Sequence, residues 1–200
     1  MPELVEPAVP AGRMGGRPQP CLSVDELTIR PWAPPDVPVL VAAYANEDIR
    51  RWHARSLTED EAVEWVSQRT DRWRREAGAD WAVAEGDTVL GRVGLRRLSL
   101  AEGLGEAAYW VLPAARGRAV AARALTAVTD WMFALGLNRM ELAHSTLNRA
   151  SCRAAEKAGY AYEGTMRGHS RHTDGYHDMH LHARLGADKP GAKGAAVRRA

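Results

Sequence analysis

Cysteine is nearly missing from this chain: Cys21 and Cys152 are the only two in 200 residues. One falls in an expected tail and the other in an expected helix, so a disulfide framework is excluded. Lysine is equally scarce, confined to Lys157, Lys189 and Lys193, and the basic charge is carried almost wholly by arginine. No strong charge of one sign remains either. The net charge is +2, and the mixed pattern gives no nucleic-acid footprint. No apolar run approaches the ~18 residues of a membrane span. The N-terminus has no charged stretch followed by an apolar one, so no signal peptide is expected and the chain reads as cytoplasmic. No Gly-Lys-Ser/Thr occurs, which excludes a P-loop nucleotidase. Gly103–Ala108 spells a dinucleotide fingerprint but precedes a strand instead of opening a helix, so that reading fails on context.

What is present fits one domain with trimmings: 46% of residues are hydrophobic, enough for a core. Residues 1–22, rich in Pro, Gly and Ala, are expected to be a disordered leader, and 187–200 a disordered basic tail, with the folded domain at 23–186. Within the domain, 25–32 alternates like a strand, and Pro34-Pro35-Asp36 opens a short helix to about Ala45. Residues 49–56 are a loop or irregular helix. Thr58 and Glu61 make a capping box for a helix to about Glu76. Strands follow at 81–85, 89–98 and 106–112, with Gly86-Asp87 as a hairpin turn. A helix through Leu135, a strand at 140–144, a helix capped by Asn148 and closed at Gly159, and strands at 160–167 and 177–185 complete the chain. Residues 168–176 are expected to be a long loop. The order gives an α/β chain with a mixed, mostly antiparallel sheet and helices on both faces.

The most telling stretch is Tyr109–Leu125. A strand stops at Pro113, a loop holds Gly117 between Arg116 and Arg118, and a helix starts at once. Ala121, Ala124, Leu125, Val128, Met132 and Leu135 mark its apolar face. Free amides and the positive dipole end of such a helix suit an anion, and the two arginines add forked donors. A phosphate-bearing ligand is expected here. On the last strand, Asp178, His180 and His182 project together beside His177. No open-site motif or cysteine ligands accompany them, so no metal is expected.

Four pieces, in order and at matching spacing, resemble the GNAT superfamily of N-acetyltransferases and its RimJ/RimL-like branch. They are Leu27–Trp32 with Asp36; Tyr109–Pro113 with Arg116–Ala121; Asn148–Ser151 with Glu156–Tyr160, Glu163-Gly164 and Arg167; and Gly175–Asp178. The resemblance spans about residues 25–185. It implies a sheet splayed between the fourth and fifth strands of that reading (106–112 and 140–144), with acetyl-CoA in the split. Trp110, Val111 and Leu112 would pair with the pantetheine arm. Amides of Arg116, Gly117, Arg118, Ala119, Val120 and Ala121 would hold the pyrophosphate, and Asn148 and Ser151 would bind beside them. Three departures stand out. Ala119 replaces a glycine of the family loop, and Ala155 stands where many members carry a general-acid tyrosine. In the last strand, His182 replaces an aromatic common to the branch.

The implied activity is transfer of acetyl from acetyl-CoA to a primary amine, on a protein N-terminus or a small molecule, by direct attack on the thioester. That chemistry needs a proton acceptor, oxyanion donors and a proton for the thiolate. Ser151 is the candidate donor and Glu106 the candidate base. Arg51, Trp52, His53, His169 and His172 are the candidate acceptor walls, whose cations suit an acidic acceptor. A homodimer is plausible. The rival reading keeps the same fold as a non-catalytic acyl-CoA-binding or partner-binding module.

Overall fold

The computed structural model describes residues 4–188. Eight strands form one sheet: β1 (Leu22–Val24), β2 (Leu27–Pro31), β3 (Asp80–Glu85), β4 (Thr88–Ser99), β5 (Leu104–Val111), β6 (Arg139–Ser145), β7 (Ala161–His172) and β8 (Gly175–Leu185). Their order across the sheet is β1-β2-β3-β4-β5-β6-β8-β7. Five α-helices accompany them: α1 (Val37–Ala45), α2 (Glu47–His53), α3 (Glu59–Arg74), α4 (Val120–Leu135) and α5 (Arg149–Lys157). Among the described residues, none of these helices is long and apolar enough to cross a membrane.

Every neighbouring pair is antiparallel except β5 and β6, which α4 connects as a crossover. Those two strands pair only at Leu104–Glu106 against Arg139–Glu141. Beyond Glu106, β5 stays on β4 while β6 stays on β8, and the sheet opens into a fork. Alternation divides the side chains between two cores. Val93, Leu95 and Ala107 join the cluster under α4, while Ala82 and Trp110 join the cluster under α1–α3. The Thr58–Glu61 capping box is formed at the start of α3.

Three expectations are corrected. The described part of the leader is not loose: Val9 and Met14 are each 1% exposed and belong to the α4 core. Val9 N–H donates to Leu100 O. The Glu76 carboxylate accepts amides of Gly12, Met14 and Gly15 at 2.9–3.0 Å, and Trp73 and Trp81 donate indole N–H to Arg17 O and Pro20 O. Two isolated apolar residues carry no periodicity, and their anchors lie between 56 and 91 residues away. The segment 168–176 is not a loop, because β7 runs to His172 and turns directly into β8. An irregularity between Met166 and Ser170 absorbs the change of register, with Gly168 at φ +55° and its amide on the Asp178 Oδ1. Residues 49–53 are regular helix, capped by the Asn46 side chain. Of the expected basic tail, 189–200 lie outside the described residues.

Candidate active site

Two cavities meet at the fork. One, of about 580 Å³, lies between α2, the C-terminal half of β5, the start of α4 and α5. The other, of about 450 Å³, lies between α2, α3, β4, β6 and the β7–β8 hairpin. Both are lined by Trp52, His53, Tyr109, Asn148 and Ser151, which mark the passage between them.

The first cavity gathers most of the expected cofactor residues: Trp110, Val111, Arg116, Gly117, Ala119, Val120, Ala121, Asn148 and Ser151 all line it. The first hydrogen bond of α4 runs from Arg123 N–H to Ala119 O, so the amides of Val120, Ala121 and Ala122 have no preceding carbonyl in the helix. Gly117 has φ +81°, and the position a Cβ would take there has no atom within 4 Å. Open space at the turn beside amides free of intrahelical partners, at a positive dipole end, is a fit for a diphosphate. Ala119 adopts φ +55°, ψ +18°, the left-handed region, which explains why glycine is the residue this turn prefers.

Four expected cofactor contacts need correction. Leu112 N–H is spent on Leu90 O, and the Trp110 carbonyl lies so close to Gly91 that a Cβ there would stand 2.5 Å from it. Both main chains therefore face β4; by alternation it is Tyr109 and Val111 that face the gap. Arg118 lines neither cavity and instead bonds Glu85 at 2.8 Å. Arg116 remains at the mouth but is paired with Asp48 of α2 at 2.7 Å. Exposed pairs of this kind add little stability.

Ser151, 7% exposed, sits in the first turn of α5, where its amide donates to the Asn148 Oδ1 at 3.0 Å. The Tyr109 hydroxyl donates to Ser151 Oγ at 2.9 Å. Burial pushes the Tyr109 pKa up, keeping the phenol protonated. This pair was not foreseen. The sequence shows no tyrosine at the usual helical position, Ala155; the phenol reaches the same neighbourhood from β5. Strand alternation places Tyr109 opposite Trp110, but only the tertiary fold brings it to α5.

Glu106 lies where the fork opens. It is 7% exposed, lines the second cavity, and faces Arg97 Nε at 3.1 Å and an Arg96 nitrogen at 3.7 Å. His53 donates its Nε2–H to Tyr109 O at 3.1 Å. Burial, then the Arg92 charge, lowers its pKa to about 4, so the ring is neutral near pH 7. Trp52 and His172 also line the second cavity; His172 reaches Arg51 O at 3.2 Å and stacks on His177. Arg51 lies over Trp52 on the first-cavity side. His169 is exposed, bonded to Ser170, and lines neither cavity, so it is not an acceptor wall. Ser145 and Asp174 flank His177 at 2.9 and 2.8 Å, a polar chain that runs from buried Ser145 beside the second cavity to exposed Asp174 and that sequence spacing does not reveal.

A mixed sheet forked beside a helix start with free amides is the architecture of an acyl-CoA-dependent transferase. The acetyltransferase (GNAT) domain profile matches residues 26–161, more than half of the chain, and the chain belongs to that family. It is therefore an N-acetyltransferase that takes its acetyl group from acetyl-CoA. A relative from Bacillus subtilis (strain 168), the uncharacterized N-acetyltransferase YoaA, is 26% identical over 153 residues, covering 74% of this chain and 86% of that protein. Among solved structures, the RimL ribosomal L7/L12 alpha-N-protein acetyltransferase in complex with coenzyme A superposes with a TM-score of 0.78 at 18% identity, covering 84% of this chain and all of that one. The ribosomal-protein-S5-alanine acetyltransferase of Vibrio fischeri gives 0.75 at 18%, covering 86% of this chain and 100% of that one. The microcin C7 self-immunity acetyltransferase MccE, in complex with acetyl-CoA and AMP, gives 0.73 at 15%, covering 81% and 93%. The fold is of the RimL type.

Proposed function

We propose that the chain acetylates amines that carry acidic groups close to the reacting nitrogen, such as a protein N-terminus followed by acidic side chains. The observation behind this is the lining of the second cavity. It holds six arginines (Arg55, Arg69, Arg72, Arg92, Arg96 and Arg171) against two carboxylates, Asp80 and Glu106. Arg69 and Arg92 are held by the buried Asp80. Arg72 has no carboxylate partner but donates to Ala77 O at 2.9 Å; Arg55 and Arg171 are left to face a ligand, and Arg96 stands at the looser distance from Glu106. Such a field favours an anion and disfavours a cationic substrate. That one structural relative is named for alpha-N acetylation of ribosomal L7/L12 and another for an alanine of ribosomal protein S5 agrees with a protein acceptor.

Acetyl-CoA supplies an activated acetyl thioester. In our reading the amides of Val120 and Ala121, with the turn at Gly117, hold its diphosphate, and Val111 offers its amide to the gap. Glu106 takes the proton of the incoming amine, directly or through a water. Tyr109 donates to Ser151 Oγ, which leaves the Ser151 hydroxyl hydrogen free to protonate a thiolate. The missing helical tyrosine is thus replaced by a two-hydroxyl relay, and the metal-free transfer needs no further group.

The test is coenzyme A release with acetyl-CoA and a peptide panel differing only in charge after the N-terminal residue. Acidic peptides should exceed basic ones by at least about tenfold in kcat/KM, the equivalent of ~1.4 kcal/mol. Equal rates, or a preference for basic peptides, would refute the acceptor assignment. Binding of coenzyme A without release on any amine would favour the non-catalytic module.

A further inference from the structure

We infer that His144, Cys152, His180 and His182 form a structural site for a transition-metal ion of the zinc type, which fastens α5 to the β6–β8 pair. The donor atoms of these four side chains all lie within 4.8 Å of one another. They come from three elements. His144 is on β6, paired with His180 of β8, while His182 pairs with Leu142; cross-strand partners share a face, so all three imidazoles project toward α5. Cys152 comes down from that helix. The sequence pattern grouped His180 and His182 with Asp178, but Asp178 is engaged with the Gly168 amide. The partners that complete the set, His144 and Cys152, are 28 to 38 residues from these histidines and invisible to local spacing.

Two of the donor separations are near those of a tetrahedral centre. His144 Nε2 and His182 Nε2 are 3.2 Å apart, and Cys152 Sγ is 3.9 Å from His182 Nε2. Zinc–nitrogen and zinc–sulfur bonds of ordinary length imply ligand separations of about 3.4 and about 3.6 Å, so closure around an ion requires shifts of ~1 Å or less. The tautomer of His144 is already set, since its Nδ1–H donates to Ser145 O at 2.8 Å. This is the outer-shell bond that orients a metal-bound histidine and leaves Nε2 as the lone pair. His182 is fully buried, and its Nε2 faces both His144 Nε2 and Cys152 Sγ. A single shared proton satisfies one pair of nitrogens, whereas an ion serves all four donors. Three imidazoles and a thiolate suit zinc above the hard cations. On binding, the Cys152 thiol loses its proton, which Glu156 Oε1, 3.6 Å from Sγ, stands ready to accept.

The four donors take no part in the transfer steps assigned above: they lie on the α5 face of the sheet and Glu106 projects from the other, although His144 also borders the second cavity. Its effect is positional: Cys152 directly follows Ser151, so an ion there fixes the first turn of α5 against β6.

The test uses the full chain made without a histidine tag, stripped with a chelator and titrated with cobalt(II) alone, then with zinc in competition. One cobalt per chain is expected, with the strong visible bands of four-coordination and a sulfur-to-cobalt charge-transfer band. Cys152→Ser should abolish that band and Cys21→Ser should retain it. His182→Gln should weaken binding by about a hundredfold, at the upper end of what an altered outer-shell partner alone costs, and His169→Gln should leave it unchanged. Zinc should raise the unfolding midpoint of the parent chain above its own metal-free value, and the shift should vanish in Cys152→Ser. Substoichiometric cobalt, a weak six-coordinate spectrum, or a charge-transfer band that follows Cys21 would overturn the site. Because the parent chain's spectrum decides alone, misfolding of a variant does not protect the proposal.

Discussion

At the scale of single residues, function rests on groups whose surroundings hold them in one protonation state. Tyr109 is kept protonated by burial and directs its hydrogen onto Ser151. Ser151→Ala should therefore lower kcat by about 10²-fold, a typical size for one positioned proton donor. Tyr109→Phe should lower it by less, about tenfold, by removing the support for that donor. In both, the dissociation constant for coenzyme A should change little, which calorimetry can read separately from turnover. A large loss of coenzyme A affinity with unchanged kcat would show the pair to be a binding contact only. His53 gives a prediction about pH. Its folded pKa of about 4 lies below the ordinary 6.5, so the unfolded chain binds the proton more readily. The stability that depends on its neutrality is complete above pH 6.5 and is lost as pH falls toward 4. A shift of that size corresponds to about 3 kcal/mol. Urea midpoints measured from pH 7 to pH 4 should fall less steeply for His53→Gln than for the parent chain. Parallel slopes would mean that His53 is not held neutral by the fold.

At the scale of elements, the loop into α4 carries the cofactor reading. Ala119 holds a left-handed conformation that costs an L-residue about 1–2 kcal/mol, while glycine in its place costs ~0.5–1 kcal/mol in unfolded-chain entropy. Ala119→Gly should thus stabilise the chain slightly, by about 0.5–1 kcal/mol, and coenzyme A affinity should hold or rise. Gly117→Ala should act in the opposite sense. Its methyl would enter the open space above the amides, and coenzyme A affinity should drop by about tenfold, ~1.4 kcal/mol. Equal affinity in both variants would place the diphosphate elsewhere. The sequence showed this element well because a strand end, a Gly-containing turn and an apolar helical face are local signals. It misassigned the outward main chain, giving it to Trp110 and Leu112, because which edge of β5 faces the gap depends on its register with β4.

At the scale of the whole molecule, the N-terminal segment belongs to the domain. Met14 and Val9 fill the α4 core, and Glu76 ties their backbone to the end of α3. Met14→Ala should lower unfolding stability by about 2–3 kcal/mol, as core truncations do, a drop of roughly 5–10 °C in Tm for a chain of this size. A thermal melt unchanged by the substitution would return the segment to the status of a loose leader.

What the sequence alone determined was the set of elements and the family-like motifs. These depend on periodicity, caps and turn residues within a few positions of each other: the Thr58–Glu61 box, the Asn148 cap and the Gly117 turn are examples. What only the tertiary structure decided was the company each reactive group keeps. Tyr109 meets Ser151 across 42 residues, Glu106 becomes buried where β5 and β6 part, and His144 and Cys152 join two histidines of β8. The physical reason is that such contacts follow from strand register and helix placement, which sum over the whole core and leave no mark in any short stretch of residues.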